Sequence, residues 1–470
     1  MAPNLSVTML EQFQVSPPPN TIPTELSLPL TFFDIPCIPA NRVQLLLLYE
    51  LPNASKTHLL QTIIPDLKRS LSLTLRHYLP VASNLMIYPS NNAMPELRYV
   101  AGDSVTLILA ECDYDFHFLK GNHPRKADDF HPLFHKLPRI SNIHESRDSP
   151  KKIPLLALQV TIFPNFGMAI GFSFHHVLGD GISNISFIKA WASINKFGGD
   201  AEFLASDSLP CFDRSICKDP NGLAQMMWIQ IKDKIGKFSQ FGDENFEHSK
   251  VRATYDVKLE DINKLKNLVL KKRPKSAHVS SFTVICAFVW TCLVKSKDAE
   301  ADKNIDEHDE YFCFLANHRA HLKPALPTNY FGNCLSLSFV KVMYSQLINE
   351  NEGFLIAAEK IGEAIVKITQ VTDGIGILKD VESVMSILQR ADEKGNKIAV
   401  SGSPKFDLYE ADYGWGRPET VENVTNDVDG AIALGKSRNF EGGVLVGLSL
   451  PKAKMDAFER FFNDGLRMIV

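Results

Sequence analysis

The sequence predicts an α/β protein of two domains, residues 1–199 and 222–470, joined by a crossover at 200–221. Three observations lead there. The chain has 470 residues, enough for two ordinary cores. Apolar runs of strand length alternate with segments of helical spacing in both halves, as in α/β architectures. Between the halves, Asp200–Asn221 carries Pro210 and Pro220 and no apolar period, as a long connection should.

The elements follow in order. Ser16-Pro-Pro-Pro-Asn20 is an extended lead-in, because proline fixes φ and lacks an N–H. Leu59–Leu75 reads as an amphipathic helix with a kink or fresh start at Pro65. Leu97–Ala110 reads as a strand pair around Gly102-Asp103. Residues 117–153 are polar and rich in His and Lys, which predicts a long surface connection. Leu155–Phe163 and Met168–Phe174 are apolar runs separated by the turn residues Pro164–Gly167, so a hairpin buried on both faces is expected. Ile182, Ile185, Phe187, Ile188 and Trp191 then fall at helical spacing, with Gly198-Gly199 as the stop. In the second half, Ser280 and Ser281 are N-cap candidates for a helix over Phe282–Lys295. Phe312–Leu315, Leu335–Val342 and Gly443–Leu450 predict strands; Phe354–Thr369 and Lys452–Met468 predict helices.

Lys and Arg total 50 against 54 Asp and Glu, a net charge of −4. That balance argues against a general nucleic-acid or anionic-membrane partner, and apolar stretches such as Val43–Tyr49 are too short to span a bilayer. The 30 phenylalanines mainly pack cores, with a few available to an aromatic acceptor pocket. The 8 cysteines are scattered without a C-x-x-C pair, which suits neither a disulfide scaffold nor structural zinc and fits a reducing cytoplasm. Residues 1–16 lack a basic stretch followed by an apolar run, so no secretory signal is expected.

The chemistry-bearing stretch is His175-His176-Val177-Leu178-Gly179-Asp180-Gly181. A strand running into a polar, glycine-containing loop ahead of a helix is a common mount for catalytic groups. Neighbours on extended chain point to opposite faces, so His175 and His176 do not serve one site, and a metal centre using both with Asp180 is disfavoured. The spacing His-x-x-x-Asp is weak alone, since it recurs at His144–Asp148 in the polar connection. His176 has the better setting, at the end of a buried strand. Asp180 has a competing role as N-cap of the helix that starts at Gly181 or Ile182, and His176 as a satisfied core histidine. Lys271-Lys272-Arg273-Pro274-Lys275 is the compact basic run, either solvated surface or, just ahead of the helix start at Ser280 and Ser281, a seat for phosphates. Cys286 and Cys334 sit in apolar stretches that suppress thiolate formation, so neither suits a covalent acyl carrier.

Two more segments are Tyr330-Phe331-Gly332-Asn333-Cys334 and Asp412-Tyr413-Gly414-Trp415-Gly416-Arg417-Pro418, the latter preceded by Gly402–Tyr409. In order with His176–Asp180, they resemble the signatures of the plant BAHD acyl-CoA-dependent acyltransferases, across nearly the whole chain. The Tyr-Phe-Gly-Asn-Cys segment resembles the branch that acylates anthocyanin, flavonoid and other phenolic glycosides. The resemblance implies two similar domains, each a mixed sheet with flanking helices, related to chloramphenicol acetyltransferase, with an active-site channel at their interface. It implies His176 as general base, and Asp180 as a structural support that pairs with an arginine. Arg319 is the candidate, in Asn317-His318-Arg319, where relatives often carry Asp at the first position.

Asp412 and Arg417 are implied to orient their loop, and Trp415 to donate to an oxyanion or to pack. Candidate substrate-binding residues are Asn184, Arg319, Tyr330, Phe331 and Asn333; candidate CoA-binding residues are Lys271, Lys272, Arg273, Ser280 and Ser281. Acyl-CoA is a co-substrate, and neither cofactor nor metal is implied. Malonyl-CoA is the expected donor and hydroxycinnamoyl-CoA the alternative, since malonyl-selective relatives often carry a basic residue where this chain has Asn184. A cytoplasmic monomer without nucleic-acid or membrane partner completes the expectation. A hydrolase and a non-catalytic CoA- or phenolic-binding protein are the other classes.

Overall fold

The computed structural model of the protein describes residues 6–39, 43–88, 93–138, 140, 149–206, 208–232, 235, 250–297, 307–372, 390–391, 394–427 and 430–468. The first half contributes β1 (Val7–Val15), β2 (Glu25–Pro29), β3 (Val43–Glu50), β4 (Asn84–Ile87), β5 (Glu96–Val100), β6 (Val105–Cys112), β7 (Arg125–Lys126), β8 (Lys151–Pro154), β9 (Leu156–Phe163) and β10 (Gly167–Phe174). The second contributes β11 (Lys250–Val257), β12 (Asp309–Asn317), β13 (Leu335–Met343), β14 (Lys397–Gly402), β15 (Thr420–Asn423), β16 (Ala431–Lys436) and β17 (Val444–Pro451). The longer helices are α1 (Ile64–His77), α2 (Gly181–Lys196), α3 (Leu259–Lys272), α4 (Ser281–Lys297), α5 (Gly353–Thr369) and α6 (Lys452–Met468).

These build two mixed sheets with flanking helices. One runs β1-β6-β9-β10-β3-β15, with β6 and β9 parallel; the other runs β13-β12-β14-β16-β17-β11-β7, with β12, β14 and β16 parallel. A smaller antiparallel sheet, β2-β5-β4-β8, accompanies the first. The expected hairpin is β9–β10, and every residue of both strands is buried. Covering both faces removes the need for alternation, which is why these strands are continuously apolar. Helix α4 is buried from Thr283 to Val294, the signature of a helix with neighbours all round. Leu59–Ile63 forms a wide π turn immediately before α1, whose first turn holds Pro65, a residue that cannot donate the regular helical bond.

Two expectations are corrected. Leu97–Ala110 does form two strands, but β5 and β6 belong to different sheets. Gly102, at φ +100°, and the Asp103 carboxylate, which accepts from Val100 N at 3.0 Å and Asn84 Nδ2 at 3.1 Å, steer the chain from one sheet to the other. Nor is 117–153 a surface connection throughout. Leu119, Phe130, Leu133 and Phe134 pack with Leu46, Leu48 and Phe163 in a core of their own, which its His and Lys content obscured. The His144–Asp148 pattern lies outside the described residues.

Each large sheet also borrows an edge strand from the other half of the chain: β15 joins β3, and β7 joins β11. One ion cluster clasps the two exchanges. Arg125 on β7 and Arg252 on β11 stand directly opposite in register, and Glu422 on β15 takes Arg125 Nη2 at 2.6 Å and Arg252 Nε at 2.9 Å. Arg252 also reaches Asp427, and the Phe130 ring lies 5.0 Å from the Arg125 guanidinium and 5.7 Å from that of Arg252. Two like charges across a strand pair repel, so the shared carboxylate is what makes this register tolerable. Burial works to raise the Glu422 carboxyl, but the two arginines outweigh it and hold the group below the ordinary range. Among the described residues no helix is long and apolar enough to cross a membrane.

Candidate active site

Strand β10 delivers its chain directly to the motif. His175 is buried, its N–H bonded to Leu155 O at 2.8 Å, and its Nδ1 accepts from Val177 N at 3.2 Å. One residue on, in a short 3-10 turn over His176–Leu178, His176 is half-buried. Its Nδ1 is enclosed and has no hydrogen-bond partner among the described residues. The two histidines thus differ in environment, as alternation requires. Gly179 permits the turn to close, because a Cβ there would lie 2.6 Å from Ser183 Cβ.

Asp180 turns inward and is 1% exposed. It caps α2 through Ser183 N at 3.2 Å, and it takes both ends of Arg319 in a fork: Nη1 on Oδ2 at 2.6 Å and Nη2 on Oδ1 at 3.0 Å. The N-cap role and the arginine partnership therefore coexist. Arg319 spends its other contacts on Gly332 O at 2.9 Å and Tyr330 O at 3.2 Å, and Asn317 Oδ1 accepts from its N–H at 3.0 Å. The amide at 317 serves this loop without needing the Asp of relatives.

The 330–334 segment backs the motif from behind. Tyr330, Phe331 and Asn333 are at most 1% exposed, so their side chains face the protein. Tyr330 OH accepts from Arg214 Nη1 at 2.7 Å, and the Phe331 ring meets Tyr78 and Phe212 edge-on at 5.5 Å. Asn333 Nδ2 donates to Asp34 Oδ1 and to His176 O, each at 3.0 Å, and Cys334 N donates to Asp180 Oδ2 at 3.2 Å. Asn184 is equally enclosed, its Nδ2 turned back to Gly179 O at 3.3 Å. The residues expected to bind substrate are thus engaged by other parts of the protein: Arg319 by Asp180, Tyr330 by Arg214, Asn333 by Asp34 and His176, and Asn184 by Gly179. Sequence reasoning does not reach Asp34 and Arg214. Asp34 lies among apolar residues and Arg214 in a stretch without periodicity, so no sequence signal singles them out.

A cleft of about 140 Å³ is lined by Phe32, Ile216, Lys218, Leu322, Lys323 and Thr372, among others. Phe32, Ile216 and Leu322 are close chain neighbours of Asp34, Arg214 and Arg319. His176 itself does not line it.

Trp415, expected either to donate to an oxyanion or to pack, lies on a loop remote from the motif. Its loop is tied to the far end of α2: Asp412 Oδ2 takes Lys196 Nζ at 2.8 Å, and Asn195 Nδ2 donates to Tyr413 O at 2.7 Å. Asp412 Oδ1 meanwhile collects Gly414 N at 2.8 Å and Gly416 N at 3.0 Å. His176 sits just before the other end of this helix of 16 residues. At 1.5 Å per residue that separates the two ends by about 24 Å, whereas an oxyanion donor must come within about 3 Å. Trp415 instead stacks on Tyr413 at 5.5 Å and meets Tyr49 edge-on at 6.1 Å; Arg417 is exposed.

In the basic run, Lys271 and Lys272 are exposed at the end of α3, while Arg273 is paired with Glu352 and lies 3.6 Å from Glu359. Ser280 is the N-cap ahead of α4, its Oγ accepting from Thr283 N at 3.2 Å, and Ser281 is the first helical residue. Burial pushes the Cys286 thiol far up and the Cys334 thiol up to about 12.

Phenolic glucoside malonyltransferase 1 of Nicotiana tabacum is 45% identical, over 98% of this chain and 100% of its own. Malonyl-coenzyme:anthocyanin 5-O-glucoside-6'''-O-malonyltransferase of Salvia splendens is 43% identical, over 98% of this chain and 96% of its own. Among solved structures, vinorine synthase superposes with a TM-score of 0.67 at 18% identity, covering 96% of both chains. TRI101 of F. graminearum, complexed with ethyl coenzyme A, superposes at 0.63 with 15% identity, over 93% of this chain and 97% of its own. At those identities the likeness is one of fold. Residues 5–464 match the Transferase family, and the chain therefore belongs to it, among the BAHD acyltransferases that its motifs resemble.

Proposed function

We propose that the protein transfers a malonyl group from malonyl-CoA to a hydroxyl of a phenolic, flavonoid or anthocyanin glycoside, by direct attack with His176 as general base. One structural observation carries the assignment of the base. Asp180 is fully engaged inward by Arg319, while the His176 ring, four residues earlier, stays half-buried at the end of β10. Donor and acceptor class are taken from the tobacco and Salvia relatives.

An alcohol is a poor nucleophile at neutral pH. An imidazole nitrogen accepts the hydroxyl proton as the oxygen attacks the thioester carbonyl; the tetrahedral adduct then breaks its C–S bond, and the CoA sulfur leaves with that proton. Such help is worth about 10²–10⁴-fold. The raised thiols of Cys286 and Cys334 favour direct transfer over an acyl-cysteine. Lys271 and Lys272, with the α4 start at Ser280 and Ser281, are assigned to the CoA phosphates, while Arg273 is held by glutamates. Arg319, Tyr330, Phe331 and Asn333 shape the loop and do not touch the acceptor. The chain is assigned to the cytosol as a monomer.

Asn184 favours a second reading, hydroxycinnamoyl transfer, because a buried neutral amide offers a malonyl carboxylate no charge. The purified chain, offered malonyl-CoA or coumaroyl-CoA with a flavonol glucoside, an anthocyanin and a simple phenol glucoside, separates the two by product mass. Malonylated glycoside is expected. Free malonate released as fast as CoA would mean a hydrolase, and turnover retained in His176→Ala would overturn the base.

A further inference from the structure

We propose that Asp34 is a positioning residue for His176, acting through the side-chain amide of Asn333; the inference rests on His176 being the base named above. Most catalytic histidines are aimed by a partner on the second ring nitrogen. Here Nδ1 of His176 has none among the described residues, so the ring's aim falls on its own main chain. The His176 carbonyl accepts from Asn333 Nδ2 at 3.0 Å, and Val177 O lies 3.4 Å from the same nitrogen. The amide in turn is steered by Asp34, whose Oδ1 accepts from Asn333 Nδ2 at 3.0 Å and from Asn333 N at 3.2 Å. A side-chain amide has two N–H bonds, and this geometry commits one to the carboxylate and one to the catalytic loop.

Asp34 is itself immobilised. It is 0% exposed, its Oδ2 accepts from Thr31 N at 2.9 Å and Thr31 Oγ1 at 2.7 Å, and Arg214 Nη1 stands 3.7 Å away. The two oxygens have separate tasks: Oδ2 closes its own turn, and Oδ1 faces the loop. The successive amides of Asn333 and Cys334 go to different buried carboxylates, Asp34 and Asp180. The His176 carbonyl is thereby held by Asn333, which Asp34 fixes, while Arg319 and Asp180 hold the other end of the motif.

The test compares Asp34→Asn, Asn333→Ala, their double variant and Thr31→Val. The first two should each lower kcat by about 10- to 100-fold, the usual cost of loosening a support around a working side chain, with KM for malonyl-CoA little changed. The double should fall no further than the worse single, because both act on one carbonyl. Thr31→Val removes the hydroxyl bond to Oδ2 but keeps the backbone bond from residue 31 and leaves the Oδ1 contacts to Asn333 intact, so it should keep kcat while losing thermal stability. Carbethoxylation of the His176 peptide, followed by mass spectrometry without substrate, should change rate in Asp34→Asn while the other histidines keep theirs. Wild-type kcat in Asp34→Asn, multiplying losses in the double, a kcat loss matched by Thr31→Val, or unchanged His176 reactivity would each overturn the proposal. Inactivity of the wild-type chain on every acceptor, or an active His176→Ala, would instead strike the functional reading.

Discussion

Arg125 donates to Glu422 at 2.6 Å with both side chains withdrawn from water, although each lies on a strand lent to the other half's sheet. Glu422→Ala leaves Arg125 and Arg252 facing each other without their shared anion. Removing one partner of a buried pair costs about 3–5 kcal/mol, because the remaining charge is stranded. Urea unfolding should show a loss of that size; a loss under about 1 kcal/mol would mean that water or Asp427 replaces the glutamate.

Arg319→Lys tests the fork on Asp180. A lysine keeps the charge but cannot span both oxygens and also reach Gly332 O and Tyr330 O. A stability loss of about 1.5–3 kcal/mol is expected, with kcat down at least about tenfold. Kinetics and denaturation on the same preparation check both, and Lys restoring full activity would show that charge alone suffices.

Trp415→Phe should keep kcat within about twofold, because the loop sits a helix length from His176; loss of an oxyanion donor would cost about 10²–10³. Steady-state rates decide between them.

His318 is expected to set an acid limit on stability. Burial drives its pKa from 6.5 down to about 4, and its Nε2 is bonded to Ser336 Oγ at 2.7 Å. The folded value lies below the unfolded one, so protonation favours unfolding: stability is complete above about pH 6.5 and drains away as pH falls towards about 4. Between about pH 7.5 and pH 5 the loss from this group is on the order of 2 kcal/mol. His318→Gln, which keeps an amide for Ser336, should flatten that limb; an unchanged pH dependence of unfolding would assign it elsewhere.

What the sequence disclosed follows a physical line. Long uniform patterns, such as the apolar runs of β9 and β10 or the periodicity of α2 and α6, are local properties and could be read directly. Arg319 is a candidate partner for Asp180 through resemblance alone, since nothing local links positions so far apart. Short strands were not legible. β7 has two residues and β15 four, too few for any period, and both exist because of a partner from the opposite half. Asp34 shows the same limit at the site, its role set by a contact with residue 333 that no spacing rule reports.

The exchange of edge strands also sets an order on synthesis. The β10 partner of β3 follows it within the same half, but the strand that covers the other edge at Leu45–Leu48 is Thr420–Asn423, made near the end of the chain. Throughout the making of β11 to β14, a nascent chain therefore shows an unsatisfied leucine-rich strand of the kind that recruits strangers. The sheet of the first half thus gains its last strand only after Thr420–Asn423 has been made.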